Sequence, residues 1–261
     1  MLELDFIETF LRENAPYVKA QHAARGKVTM TVKSNASDLL TEADLTVQQR
    51  AVDALADAFP NDRLVAEEGE YAAYPEDPDA RCWVLDPIDG TNNFVRGLFP
   101  CFGISLAFAE HGVPRAGGVM LPVTGDLFLA ARDKGATLNG EPIRVSDIQD
   151  IAAAKVEVEF GWTAERGTML DRASEVIKRV GQVRCSGSAV AGLCQIACAE
   201  MDGYVHMTLK PWDYAASQII VEEAGGVATR LDGGPVALFD GKSGLLVSNG
   251  AIHEALRTLI R

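Results

Sequence analysis

Asp86 and Asp89 stand three residues apart, with a proline between them, in the stretch WVLDPIDGTNNF that begins at Trp83. Two carboxylates converging in a cleft repel each other unless a cation lies between them. Glu67 follows the apolar run RLVA and Asp213 follows KPW, so four acids sit where a strand or loop ends, the places from which a rigid frame presents functional groups. Pro87 has no N–H to give to a strand ladder. The spacing therefore predicts a break at Pro87 that turns the Ile88 carbonyl toward the same hollow as both aspartates. Carboxylate, carbonyl, carboxylate is a ligand set for a hard cation; Mg²⁺ prefers such oxygens, keeps several waters and is completed by substrate phosphate. Gly90 permits close backbone approach, and Thr91 opens TNNFVRGL, which reads as a short helix whose first amides suit phosphate oxygens. Taken alone, the segment also fits an acidic turn that caps a helix.

The elements that must hold these groups can be read from periodicity. LDFIETFLRENAPYV and EADLTVQQRAVDALADAF place apolar residues at helical spacing, the second until Pro60 stops it, with a polar loop, VKSNASD, between them. From Leu64 to about Leu138 short apolar runs alternate with Gly, Pro and Asp, which predicts a mainly antiparallel sheet. Beyond EPIRVSD the pattern becomes strand and helix in alternation, from AKVEVEF through SAVAGLCQIACAEM and GYVHM to AIHEALRTLI, a second layered lobe. The expectation is a mixed α/β protein of two lobes, residues 1–150 and 151–261, with the cleft between them.

Composition narrows the chemistry. The chain of 261 residues is 48% hydrophobic and 23% charged, enough for a well-buried core. Its 24 lysines and arginines against 37 acids leave a net charge of -13, which argues against a nucleic-acid or anionic-membrane surface and favours a cationic partner. No basic segment leads into an apolar run at the amino terminus, and no stretch approaches the length of a membrane span. Five scattered cysteines form neither a disulfide framework nor a C-x-x-C pair, which fits a reducing, cytoplasmic setting. Cys194 and Cys198, four apart, share a helix face and read as core residues before they read as metal or redox ligands.

LVAEEGE, WVLDPIDGTNNF and PWDYAASQIIVEEAGG together resemble the inositol monophosphatase family, the Mg²⁺-dependent, lithium-sensitive phosphatases related to fructose bisphosphatases. The likeness runs over nearly the whole chain, from KSNASDLLTEAD to EEAGG. It implies a layered α/β/α/β/α sandwich, a homodimer, and two to three Mg²⁺ per site held by Glu67, Asp86, the Ile88 carbonyl, Asp89 and Asp213. By the same resemblance Asp44 is an acid near the outer metal site, Lys33 belongs to a mobile loop that closes over it, and Gly187, Ser188 and Ala189 in CSGSA form the substrate-binding turn with Asp89, Gly90 and Thr91. A serine in such a turn also fits a plain helix cap.

The resemblance implies a phosphomonoesterase in which a metal-activated water attacks phosphorus directly, without a phosphoenzyme, and in which Glu67 and Thr91 move the water's proton. Inositol 1-phosphate is the first expected substrate; histidinol phosphate, then other sugar or nucleotide phosphates, are the alternatives. One departure bears on this. Inositol-cleaving members carry an acid seven residues before the last metal aspartate, where this chain has His206, which is either a substrate contact or a structural or exposed residue. A reading of another class also stands: bacterial relatives act as transcription-associated factors, so the chain is alternatively an interaction module with incidental phosphatase activity.

Overall fold

In the computed structural model, residues 2–24, 30–33, 39–77, 79–97, 100–161, 164, 166–240 and 243–260 are described. Helix α1 (Leu2–Ala23) buries a stripe of Ile7, Phe10, Leu11, Asn14 and Val18 at helical spacing. It runs through Pro16, inside the segment that periodicity marked, because burial of the stripe outweighs one missing backbone hydrogen bond, and it extends past the end of that segment at Val18 to Ala23. A small antiparallel hairpin, β1 (Met30–Val32) and β2 (Leu39–Thr41), flanks what reads as a polar loop; residues 34–38 of that loop lie outside the described residues. Helix α2 (Glu42–Ala58) starts on a capping box. Its N-cap Thr41 hydroxyl accepts from Ala43 N–H at 3.2 Å, and Asp44 accepts from the Thr41 N–H at 2.8 Å.

The next stretch builds one seven-stranded sheet in sequence order: β3 (Arg63–Ala66), β4 (Arg81–Asp89), β5 (Gly103–Glu110), β6 (Val113–Leu121), β7 (Asp126–Ala131), β8 (Ala136–Leu138) and β9 (Glu141–Ile143). Only β3 and β4 are parallel; a 3₁₀ turn, Gly69–Ala72, lies in the connection between them, and the short helix α3 (Thr91–Arg96) interrupts the passage from β4 to β5. Pro87 does not end β4 as its chemistry suggested. The strand runs on to Asp89 while its ladder with β5 shifts register between Asp86 and Asp89, so an irregularity absorbs the missing donor.

The remainder supplies a five-stranded sheet from β10 (Lys155–Glu159), β11 (Gln182–Arg184), β12 (Gly203–Leu209), β13 (Val227–Arg230) and β14 (Ser243–Ser248), in the order β11-β10-β12-β14-β13. Between these strands run α4 (Arg166–Arg179), α5 (Ala189–Ala197) and α6 (Pro211–Glu223), with α7 (His253–Leu259) closing the chain. Periodicity missed β13, whose VATR is too short and too mixed to announce itself.

Three apolar clusters define five layers, α/β/α/β/α. Side chains Trp83, Leu85, Leu106 and Phe108 of the large sheet pack with α1 and α2. Val84, Ala107 and Val119, which alternate with them and so face the other way, meet α5 and α6, whose far side packs on Tyr204 and Val247. Val156, Val158, Val205 and Leu246 cover α4 and α7. The middle helices therefore touch both sheets. Among the described residues, no helix is long and apolar enough to cross a membrane.

Contact between β6 and α6 depends on Gly117. A Cβ there would lie 2.8 Å from the Ala216 Cα and 2.9 Å from its carbonyl oxygen, and backbone cannot rotate out of the way. Gly117→Ala is expected to destabilise the protein by about 1–3 kcal/mol through overpacking, read as a lower urea midpoint with unchanged slope. A midpoint equal to wild type would show that the helix and sheet do not meet this closely.

Candidate active site

The carboxylates reach one cleft from different layers. Asp86 and Asp89 come from the end of β4, the strand next to the β3 edge of the large sheet, and Asp213 from the first turn of α6 in the middle layer. One oxygen from each lies within 4.8 Å of the others. Backbone fixes all three: Asp86 accepts from Ile88 N–H at 3.0 Å, Asp89 from Val190 N–H at 3.2 Å, and Asp213 from Lys210 N–H at 2.7 Å. The Ser188 hydroxyl also donates to Asp89. A carboxylate has about four lone-pair positions, so each of these acids keeps acceptor capacity for a ligand.

Charge in this cluster is poorly compensated. Burial, reinforced by Glu67, Asp89, Asp213 and Asp44, pushes the Asp86 carboxyl well above the ordinary range. Burial and then Asp89 do the same to Asp213, against the Lys210 donor and ammonium. Asp89 is pushed up to about 7 by burial, even though Ser188 and Val190 donate to it. A set of buried, mutually repelling oxygens, with no nitrogen or sulfur ligand among them, fits a hard divalent cation.

The other expected residues fall into three groups. Glu67, Ile88, Gly90 and Thr91 line the same cleft of about 260 Å³, as do Gly187, Ser188, Ala189 and His206. Thr91 donates its hydroxyl proton to the Ile88 carbonyl at 3.0 Å, and Gly90 caps α3 at φ +83°, a conformation that costs a glycine little. Lys33 is not in the cleft wall but reaches it. Its ammonium bridges Glu67 and Glu68, at 2.8 Å to each; burial alone would lower its pKa, but these two acids hold it above its ordinary value. Gln48 of α2 fixes this edge by donating to the Glu68 carbonyl and accepting from its N–H. Asp44 stands apart, fully buried in its capping box, where burial pushes it up to about 7 against the Thr41 donors, with Glu67 and Glu68 adding to the rise.

The turn before α5 is tied inward. Gly187 N–H donates to Glu159 at 2.7 Å, Ser186 N–H to Glu157 at 3.0 Å, and Asn93 Nδ2 holds the Ser186 carbonyl at 2.8 Å. Ser188 is at once the N-cap of α5, accepting from Ala191 N–H, and a donor to Asp89. Glu159, Tyr204 and Thr208, which the sequence did not single out, complete the wall beside His206. The sequence carried only an alternation, KVEVEF, that puts the two glutamates on one face; β10 is covered on both faces, and Glu157 and Glu159 are 1% and 9% exposed. His206 lies within β12, opposite Glu159 on β10, and its Nδ1 accepts from Thr208 N–H at 3.0 Å. Cys194 is core, as read.

A sequence model described as the inositol monophosphatase family matches residues 7–261. Over 226 residues the chain is 37% identical to the fructose-1,6-bisphosphatase/inositol-1-monophosphatase of Thermotoga maritima, covering 85% of this chain and 82% of that protein. It is 35% identical over 228 residues to the inositol-1-monophosphatase of Synechocystis (86% and 77% covered) and 34% over 206 residues to the Nus factor SuhB of Vibrio cholerae (78% and 76%). Among solved structures it superposes on a Thermotoga maritima IMPase with a TM-score of 0.86 at 33% identity, covering 99% of this chain and 96% of that one. The suhB extragenic suppressor protein of Bartonella henselae gives 0.89 at 26% identity, with 98% and 96% covered.

The raised carboxyls have a consequence for stability. Asp44 and Asp89 bind a proton more tightly folded, near 7, than unfolded, near the ordinary 3.8, so their contribution is best at low pH and is lost as pH rises from about 4 through 7. In chelator, Asp44→Asn should flatten the fall in urea midpoint between pH 5 and pH 7.5 relative to wild type. Parallel wild-type and variant curves across that window would refute the assignment.

Proposed function

The chain belongs to the inositol monophosphatase family, enzymes that hydrolyse phosphoric monoesters, and from that premise we propose that it cleaves a small phosphorylated alcohol, inositol 1-phosphate first. The observation that carries the reading is the convergence of Asp86, Asp89 and Asp213 from two layers into a cleft walled by the Gly187–Ser188–Ala189 turn. Glu67, Asp86, the Ile88 carbonyl, Asp89 and Asp213 would hold two to three Mg²⁺. When bound, the ions supply charge neutralisation at the phosphoryl oxygens and acidify a water.

The chain's own groups do the rest. Glu67, partly exposed and steadied by Lys33, takes the proton of the attacking water. Thr91, with its own proton committed to the Ile88 carbonyl, turns a lone pair to that water and relays its proton to Glu67 as the hydroxyl reorients. Asp44 acts at a distance, by fixing the start of α2 and hence Gln48 and the Glu67–Glu68 edge. The first amides of α3 after Gly90 and the Ser188 turn place the phosphate. Because Thr208 N–H occupies Nδ1 of His206, the neutral ring carries its proton on Nε2 and is a donor there. With Glu159 and Thr208 beside it, this wall suits a hydroxyl-rich alcohol. Histidinol phosphate, whose amine would face Glu159, is the runner-up.

The same reading extends to two lobes, residues 1–150 and 151–261, a homodimer, inhibition by lithium and a cytoplasmic location. The likeness to the Vibrio cholerae Nus factor SuhB supports a second reading, an interaction factor with incidental turnover. A net charge of -13 directs such a role toward a basic protein partner rather than RNA.

Phosphate release should be seen with inositol 1-phosphate above histidinol, fructose and nucleotide phosphates when Mg²⁺ is present, and should vanish in EDTA. Glu67→Gln should lower kcat by about 10²–10⁴ while leaving the unfolding midpoint near wild type. Wild-type turnover by that variant at saturating Mg²⁺ would remove Glu67 from its role, and undiminished hydrolysis after chelation would remove the metal. If Asp86→Asn abolishes turnover yet keeps a captured partner, the interaction reading gains.

A further inference from the structure

Two glutamates, Glu157 and Glu159, lie on one face of β10, and no ion pair is made by either among the described residues. Glu157 is 1% exposed. Its Oε1 accepts from the Ser186 N–H at 3.0 Å and from the Ser186 hydroxyl at 2.5 Å. Its Oε2 is fully buried and has no hydrogen-bond partner among the described residues, and the neighbouring Glu159 carboxyl adds to the rise of the Glu157 pKa. Glu159 accepts from the Gly187 N–H at 2.7 Å and the Cys185 thiol at 3.3 Å, so an ionised Glu157 would set an orphaned, buried oxygen beside a second carboxylate. A proton on Glu157 Oε2 would relieve both the orphan and the like charge. Helix α5 is cut away to admit this group: a Cβ at Gly192 would overlap the Glu157 carboxyl.

We propose that Glu157 is a positioning residue which, as a neutral acid, donates to Glu159 and with it fixes the Cys185–Ser188 turn that receives the substrate. The inference rests on the phosphatase reading of the cleft and adds a residue that touches no substrate. The link runs from Glu157 to Ser186, and from Glu159 to Gly187. The adjoining Ser188 then donates to Asp89, so the turn and the carboxylate cluster are set by one chain of hydrogen bonds. An ionised Glu157 would face Glu159 as a like charge and would lose its donor, releasing the turn on the side where Gly187 and Ser188 meet the cleft.

The surroundings favour the neutral form. Burial, then the neighbouring Glu159 carboxyl, pushes Glu157 up to about 8 against the Ser186 donors. The pair acts on the Cys185 thiol from the turn, the Tyr204 phenol from β12 and, through Glu157, the Cys101 thiol beyond α3; the Arg166 guanidinium of α4 acts on Cys185, and Asp89 of β4 on Tyr204. From α5, Gly192 lies against the Glu157 carboxyl. With the folded value above the ordinary 4.5, the neutral acid is present below about pH 8 and is lost above it.

The test is steady-state hydrolysis of inositol 1-phosphate at saturating Mg²⁺ by wild type, Glu157→Ala and Glu157→Gln between pH 6.5 and 9.5. Glutamine reproduces a neutral acid, with one acceptor and a donor. Glu157→Ala should raise KM about 10-fold at pH 7 with a smaller change in kcat, and Glu157→Gln should rescue most of that loss. Wild-type KM should climb above about pH 8, and the climb should be absent in Glu157→Gln. The proposal is overturned if Glu157→Gln is as impaired as Glu157→Ala at pH 7, or if wild type and Glu157→Gln share one KM profile above pH 8. Infrared difference spectra of wild type against Glu157→Gln, taken without substrate, should show a protonated carboxyl at pH 7. Its absence overturns the proposal even if no phosphoester is cleaved, so failure of the pair and failure of the phosphatase reading are told apart.

Discussion

Like-charge repulsion among Asp86, Asp89 and Asp213 is the constraint to which the rest of the molecule answers. Three carboxylates with oxygens within 4.8 Å cannot all be charged in a buried cleft without a cation, and among the described residues side-chain cations stand at the edge, Lys33 against Glu67 and Lys210 near Asp213. The fold holds the acids in place regardless, through one backbone N–H on each. Those bonds hold each group in position more than they relieve its charge, so the cluster retains a strong preference for hard divalent ions.

That preference works only because the acids sit on elements that cannot swing apart. β4 is an interior strand, paired with β3 and β5 and buried on both faces, and α6 is packed between the two sheets. To separate Asp213 from Asp86 the middle layer would have to leave β6, where Gly117 lets it sit against backbone. Rigidity of the cluster is thus a property of the core, and binding energy for a metal need not be spent on ordering its ligands.

A second set of acids shows the opposite solution. Glu157 and Glu159 stand side by side on β10, Glu157 is raised in pKa by burial and by its neighbour, and the turn they hold is satisfied from within. On the readings proposed above, one protein would relieve carboxylate crowding in two ways, by a cation where chemistry is needed and by a proton where position is needed. The turn links them through Ser188, which caps α5 and donates to Asp89.

The order of most helices and strands, the mixed α/β class and the four acids were legible in the sequence, because helical and strand periods, Pro60 and the D-P-I-D-G-T spacing are local properties of the chain; the five-layer arrangement came only from the family resemblance of its motifs. Local chemistry misjudged Pro87, since a sheet paired on both sides of β4 can absorb a lost donor through a register shift. It also left Glu157 and Glu159 unremarked, since alternation tells which residues share a face but not whether a second layer covers it. What the sequence determined alone was the donor chemistry: hard oxygens, their spacing and an excess of negative charge. Whether Asp213, well over a hundred residues from Asp89, meets it, and which glutamates lose their water, was decided only by the packing of the middle helices between two sheets, because desolvation and convergence are properties of neighbours that the chain brings from far away.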